Sequence, residues 1–228
     1  MTRPLTLLSS MAAREVLAEL IRGFTGETGQ PVAAEAAGGV EVAKRIQAGD
    51  GADVVVLSDS AIDKLIAGGH LRPGRVDLVK SGVAIAVRSG APRPDISTEA
   101  AVQAAVAAAA SLSYSTGPSG VYLEKLFERW GILEALRARV VVPPPGIPVG
   151  SLVAGGQAAL GFQQLSELLN VPGIQVLGPL PPSIQTITTF SAGISVRCDQ
   201  PQLATRLLDY MRLPSATALK QRYGMEPA

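Results

Sequence analysis

Residues Leu78–Arg88 read Leu-Val-Lys-Ser-Gly-Val-Ala-Ile-Ala-Val-Arg. This is a long extended run, and a second one, Ile184–Val196, lies toward the far end of the chain. Between them stands a self-contained series of alternating helix and strand signals, and a comparable series stands outside them. The pattern predicts an α/β chain of two lobes joined by two crossing strands. Lobe I is then residues 1–82 with 190–228, and lobe II is residues 83–189.

Working outward, lobe II opens with turn-rich Ser89–Pro94. A helix over Thr98–Ala109 and a strand over Ser111–Tyr114 follow, then a Ser/Thr/Gly loop and a helix over Val121–Trp130. A strand is expected over Arg139–Val142, a stiff turn at Pro143-Pro144-Pro145-Gly146 and a helix over Val149–Gly155. A strand Ala158–Phe162, a helix Gln164–Leu169 and a strand Ile174–Leu177 close the block, broken by Pro179, Pro181 and Pro182. Lobe I reads as a strand Leu5–Leu8 and a helix Met11–Thr25 that buries Val16, Leu17, Leu20, Ile21 and Phe24 on one face. A strand Pro31–Ala36, the break Gly38-Gly39 and a helix Val40–Ala48 come next. The continuous apolar run Ala52–Leu57 suits a parallel strand covered on both sides. A helix Ser60–Ala67 follows, and helices near Gln200–Arg212 and Ala216–Tyr223 end the chain.

Composition excludes several classes of function. The 228 residues carry 20 Lys plus Arg against 19 Asp plus Glu, a net charge of +1, so no basic excess is present to neutralise nucleic-acid phosphates. Cys198 and His70 are the sole residues of their kinds, which rules out an internal disulfide and leaves a Cys/His zinc site nearly excluded. His70 reads as a surface cap and Cys198 as a small packed or surface residue. No Ser/His/Asp arrangement or nucleotide phosphate loop is present, and the residues ask for no cofactor or metal. No apolar run reaches the length of a membrane span. The first residues lead straight into a strand without secretory signal features, so the chain as written reads as cytoplasmic, or as periplasmic where a leader has been removed.

The loop Tyr114-Ser115-Thr116-Gly117-Pro118-Ser119-Gly120 joins a strand end to a helix start. The first N–H groups of a helix have no partner within it and lie at the positive end of its dipole, which makes an anion site. Ser115, Thr116 and Ser119 add hydroxyl donors, and Gly120 allows close backbone approach; an ordinary capped βα turn is the alternative reading. Tyr114 reads either as a half-buried tyrosine capping a turn or as a donor and proton relay to a ligand. Glu35 reads either as a solvent-facing strand carboxylate or as a general base with a raised pKa in a dry cleft. Lys80 and Ser81 stand on the first crossing strand. Lys80 reads as a surface charge, while Ser81 is a candidate ligand contact. Arg88 and Arg197 end the crossing strands.

In their order and spacing, several pieces resemble the type II periplasmic binding proteins, specifically the molybdate-binding branch. These are Leu7-Leu8-Ser9-Ser10-Met11, then Gly38-Gly39-Val40-Glu41-Val42-Ala43-Lys44-Arg45-Ile46-Gln47-Ala48-Gly49 with Ala52-Asp53-Val54-Val55. Thr116-Gly117-Pro118-Ser119-Gly120-Val121-Tyr122, Gly161-Phe162-Gln163-Gln164-Leu165 and Leu219-Lys220-Gln221-Arg222-Tyr223-Gly224 complete the set. The resemblance covers nearly the whole chain. It implies an anion held between lobes by serine hydroxyls and backbone N–H groups, with Ser9, Ser10, Met11, Ser115, Thr116, Ser119, Gly120 and Val149 among its contacts. Two positions depart from the family pattern. Gly38-Gly39 replaces a serine pair, and Gln164 takes the place of a tyrosine. Both departures suit a longer, flatter anion such as a small carboxylate. Aconitate isomerase, similar to this family, moves a proton and a double bond in a tricarboxylate. The resemblance therefore implies either a cytoplasmic carboxylate isomerase or a non-catalytic oxyanion receptor, whose partner would be an ABC permease in an exported form.

Overall fold

The computed structural model describes residues 3–144 and 146–228. The chain divides into two compact units, one made of the chain up to Lys80 with Thr189–Ala228, the other of Ser81–Thr188. It passes from one unit to the other within two strands, β4 and β8, whose ranges are given below.

The first unit begins with β1 (Leu5–Ser10), a 3-10 turn at Met11–Ala13, α1 (Arg14–Thr28), β2 (Val32–Ala37), α2 (Gly39–Gln47), β3 (Val54–Ser58) and α3 (Asp59–Ala67). β1 lies between β2 and β3, parallel to both. The C-terminal ends of these strands therefore share one edge, and each runs directly into a helical turn. Alternation along each strand sends side chains to two different cores. Leu5, Leu7, Val54 and Val56 pack with α1 residues Val16, Leu20 and Phe24, while Leu8, Val55 and Leu57 pack with Val42 and Ile46 of α2 and Ile62 of α3.

β4 (Val76–Arg88) carries the chain into the second unit, followed by α4 (Glu99–Ala108), β5 (Leu112–Tyr114), α5 (Pro118–Arg129), α6 (Leu133–Leu136) and α7 (Val149–Ala154). β6 (Leu160–Gln164), α8 (Leu165–Leu168), β7 (Ile174–Pro179) and β8 (Ile187–Ile194) complete it. Within the unit, β5 runs parallel to β6, and β4 pairs antiparallel with both β6 and β7. One sheet face buries Val83, Ile85, Leu112, Tyr114 and Phe162 against Val102, Val106, Leu123 and Phe127. The other presents small residues, Ala84, Ala86 and Gly161, to α7 and α8.

The returning chain adds the rest of β8, antiparallel to β3, then α9 (Pro201–Met211), α10 (Thr217–Arg222) and β9 (Glu226–Pro227), which pairs with Val79 and Lys80 of β4. The buried Lys220 ammonium donates to the Leu78 carbonyl at 2.9 Å, fixing α10 to the same strand. No helix among the described residues is long and apolar enough to cross a membrane.

Three expectations need correction. No strand forms at Arg139–Val142. Arg137–Arg139 is a 3-10 turn, and Val140 makes only an isolated bridge to Leu112. The following prolines supply no N–H to continue a ladder, and Arg139 is drawn aside to donate to the carbonyls of Ala107 and Ala109; of that proline turn, Pro145 lies outside the described residues. The extended run expected from Ile184 starts instead with a 3-10 turn, Pro182–Ile184, and the strand proper spans Ile187–Ile194. The helix expected from Met11 starts as the 3-10 turn, with regular α1 from Arg14.

Candidate functional site

Each unit carries polar groups at its strand ends. In the first, Ser9 and Ser10 are the last residues of β1, both buried, and Met11 opens the 3-10 turn. The Ser10 hydroxyl is buried without a hydrogen-bond partner. It lies close to the start of α2, because a Cβ built on Gly39 would sit 3.8 Å from Ser10 Cβ. Gly38 is the N-cap of α2 with φ −57° and ψ 135°, a conformation open to any residue. A Cβ there would meet nothing within 4 Å. Neither packing nor backbone strain demands this glycine, whose absent side chain leaves the first N–H groups of α2 uncovered. Ser58, buried at the end of β3, caps α3 in the same row without a side-chain bond to that helix.

In the second unit, the loop after β5 folds back on the start of α5. Ser115 and Ser119 share a hydroxyl–hydroxyl bond of 2.8 Å, Gly117 is the N-cap, and Pro118 occupies the first helical turn. Gly120 is required here, because its Cβ would lie 1.6 Å from the Ser115 carbonyl oxygen. Thr116 is exposed, and Ser119 and Gly120 are buried. Val149, the first residue of α7, is buried over Gly161. Ser81 is buried at the point where β4 enters this unit.

Gln163 and Gln164 end β6 and point to opposite sheet faces. Gln164 Nε2 donates to Thr188 Oγ1 and Gln163 Nε2 to Glu167 Oε1, each at 2.8 Å. Both amide oxygens are buried without partners, as are the hydroxyls of Ser113 and Ser166. Ser58, Ser113, Gln163 and Ser166 are candidates the sequence reading passes over. The faint signal for Ser58 and Gln163 is a polar residue at the end of an otherwise apolar strand, as in Val54–Ser58 and Leu160–Gln164; Ser113, mid-strand, and Ser166, on α8, carry no such signal.

The two proposed proton carriers do not fit that role. Tyr114 is a core side chain, edge-on to Phe127 with ring centroids 5.9 Å apart, and its hydroxyl donates to Glu124 at 3.2 Å. Burial first, and then the Glu124 charge, push its pKa up to about 12, so it holds its proton. Alternation along β5 places it with Leu112 on the α5 side. Glu35 is exposed on β2 and ion-paired with Arg45, which also holds Asp50 at 2.8 Å. The Arg45 hydrogen bond holds the Glu35 carboxyl below its ordinary range, the opposite of what a base in a dry cleft requires. These charges line a shallow surface depression beside the early part of β1, away from Ser10.

Residues 5–226 match the family of bacterial extracellular solute-binding proteins. The chain belongs to that family. An aconitate isomerase from a Pseudomonas species is 37% identical to this solute-binding protein over 230 aligned residues, covering 98% of this chain and 87% of the isomerase. Among solved structures, the periplasmic molybdate-binding protein of Azotobacter vinelandii superposes with a TM-score of 0.81 at 21% identity, covering 98% of this chain and 99% of that one. The sulfate-binding protein of Mycobacterium tuberculosis H37Rv gives 0.79 at 15% identity, covering 100% and 88%. The fold of this solute-binding protein is the two-lobed α/β fold of the periplasmic binding proteins.

Proposed function

We propose that this protein binds a small carboxylate and isomerises it, moving a double bond as aconitate isomerase does. The observation that carries this is the 37% identity with that enzyme across nearly the full length of both chains. The polar groups at the strand ends support it. The open space at Gly38, at the helix start that adjoins Ser10, suits a ligand larger than a tetrahedral oxyanion. Uncharged donors on helix starts suit an anion whose charge shifts during reaction, because N–H and O–H groups fixed in place stabilise it without reorganising. In the reaction a base takes a proton from the methylene carbon next to one carboxyl. The C–H electron pair becomes part of a delocalised dienolate, and a proton returns to the other end of the allylic system. The double bond moves and no electrons are gained or lost.

Proton NMR of the pure protein with trans-aconitate tests this. The expected result is movement of the vinyl signal with deuterium entering from heavy water; no turnover at high enzyme concentration refutes catalysis. A second reading, a non-catalytic oxyanion receptor serving a permease, draws on the likeness to the molybdate-binding protein. Calorimetric titration of molybdate, tungstate, sulfate and a carboxylate panel separates the two, since tight molybdate binding favours the receptor and carboxylate binding favours the isomerase.

A further inference from the structure

Three unpartnered polar atoms lie on one side of the second unit's sheet. Ser113 stands opposite Gly161 in register, and Gln163 follows two residues on, with Ala84 as its neighbour on β4. These positions share the face that α7 covers, because Val153 and Val149 come within 2.5 and 3.0 Å of where a Gly161 Cβ would be. Ser166 stands on α8, whose Leu168 packs against Ala84 and Ala86 of that face. Ser113, Gln163 and Ser166 are 0%, 4% and 8% exposed, and Ser113 Oγ, Gln163 Oε1 and Ser166 Oγ have no partner. Buried polar atoms without partners are uncommon, and three on one side of a sheet are candidates to meet the polar groups of a ligand.

The Gln163 amide cannot turn to meet an anion. Its Nε2 is committed to the Glu167 carboxylate at 2.8 Å, and a flip would set two oxygens against each other. Oε1 is therefore a fixed acceptor. The Gln164 amide differs, because its partner is a hydroxyl able to donate as well as accept. An ionised carboxylate, or a fully ionised oxyanion such as sulfate or molybdate, offers Gln163 nothing but another acceptor. A protonated carboxyl fits: its O–H donates to Gln163 Oε1, and its carbonyl oxygen accepts from serine hydroxyls.

Resting on the carboxylate-isomerase reading, we propose that Gln163, with Ser113 and Ser166, selects a substrate that keeps a proton on one carboxyl. The proton stays on that oxygen throughout, while a different proton leaves carbon and returns to carbon. Electron density moving from the C–H bond then enters a neutral carboxyl rather than a carboxylate, which lowers the cost of forming the dienolate. Sulfate, molybdate and tungstate, having no proton to offer near neutral pH, are rejected by the same acceptor. The titratable group against Gln163 is Glu167 on α8; the facing positions on β4, β5 and α7 are Ala84, Ser113, Val149 and Val153, none of which titrates.

Titration of trans-aconitate into the full chain near neutral pH, in buffers of different ionisation heat, tests this. The free ligand is mostly ionised there, so binding should take up about one proton per ligand. Gln163→Met should abolish the uptake and weaken binding by at least about tenfold. Glu167→Gln, which still offers an acceptor to the Gln163 amide, should retain the uptake. Binding by the natural protein without uptake overturns the proposal and leaves the isomerase reading intact. Uptake lost in Glu167→Gln but kept in Gln163→Met places the proton on Glu167 and also overturns it. Absence of trans-aconitate binding refutes the isomerase reading and this inference with it.

Discussion

Ser10 sits at a cost to the fold that a ligand contact would offset. A buried hydroxyl without a partner costs about 1–3 kcal/mol, and Ser10 Oγ is in that condition. Ser10→Ala should therefore leave thermal stability unchanged or raise it by up to about 1 kcal/mol, while ligand affinity falls about tenfold or more. Parallel denaturation and calorimetry check this, and a variant that loses stability and affinity together would mark Ser10 as structural. Gly38 gives the converse prediction. A serine there meets open space at an unstrained φ, so Gly38→Ser should fold normally. Its added hydroxyl should raise affinity for a compact oxyanion such as sulfate relative to trans-aconitate, as measured by competition.

At the scale of elements, α7 depends on Gly161. An added methyl would lie 2.5 Å from Val153 Cγ2 and 3.0 Å from Val149 Cγ1. Gly161→Ala should cost about 1–3 kcal/mol of stability; on the reading that makes Val149 a ligand contact it should weaken ligand binding as well, because Val149 shifts with the helix, and urea unfolding and calorimetry read the two effects. Most elements are legible in the sequence because their periodicity is strong. Val16, Leu17, Leu20, Ile21 and Phe24 mark α1, and the run ending at Leu57 marks a strand covered on both faces. Arg139–Val142 misleads because its apolar residues look like a strand, whereas the prolines beyond it and the Arg139 bonds to α4 carbonyls are tertiary facts. Ser10 and the Ser115–Gly120 loop can be picked out as strand-to-helix junctions. The sequence does not show which hydroxyls go unpaired, or that Tyr114 turns inward to Glu124. Nor does it show that adjacent Gln163 and Gln164 face opposite ways with different anchors.

At the scale of the whole chain, the first unit is discontinuous and must be closed by contacts between its separated parts. Arg3 bridges Asp53 and Asp199, and Asp53 also accepts from the Thr6 N–H and hydroxyl at 2.8 and 2.9 Å. Burial by itself raises the Asp53 pKa, but Arg3 and Thr6 more than reverse it and hold the carboxyl well below the usual range. A depressed folded pKa gives stability that is present above the unfolded value and is lost as pH falls through the folded one. Stability should thus decline from about pH 4 downward. Asp53→Asn should lose about 2–3 kcal/mol at neutral pH and flatten that decline, as urea titrations at several pH values would reveal. The core of this unit tells the same story. Leu5, Leu7, Leu20 and Phe24 pack with Phe190, Ala192, Leu207, Leu208, Met211 and Met225 from the returning chain. The second unit is one continuous segment, and its main core of Val83, Ile85, Val102, Leu123, Phe127 and Phe162 lies wholly inside it. A fragment of residues 81–188 should therefore unfold cooperatively in urea with dispersed amide NMR signals. Residues 1–80 alone, deprived of nine of the 21 buried residues in the larger of their two cores, should remain unfolded until a 189–228 peptide is added. A cooperative transition in the 1–80 fragment by itself would show that the returning segment is not needed to complete that core.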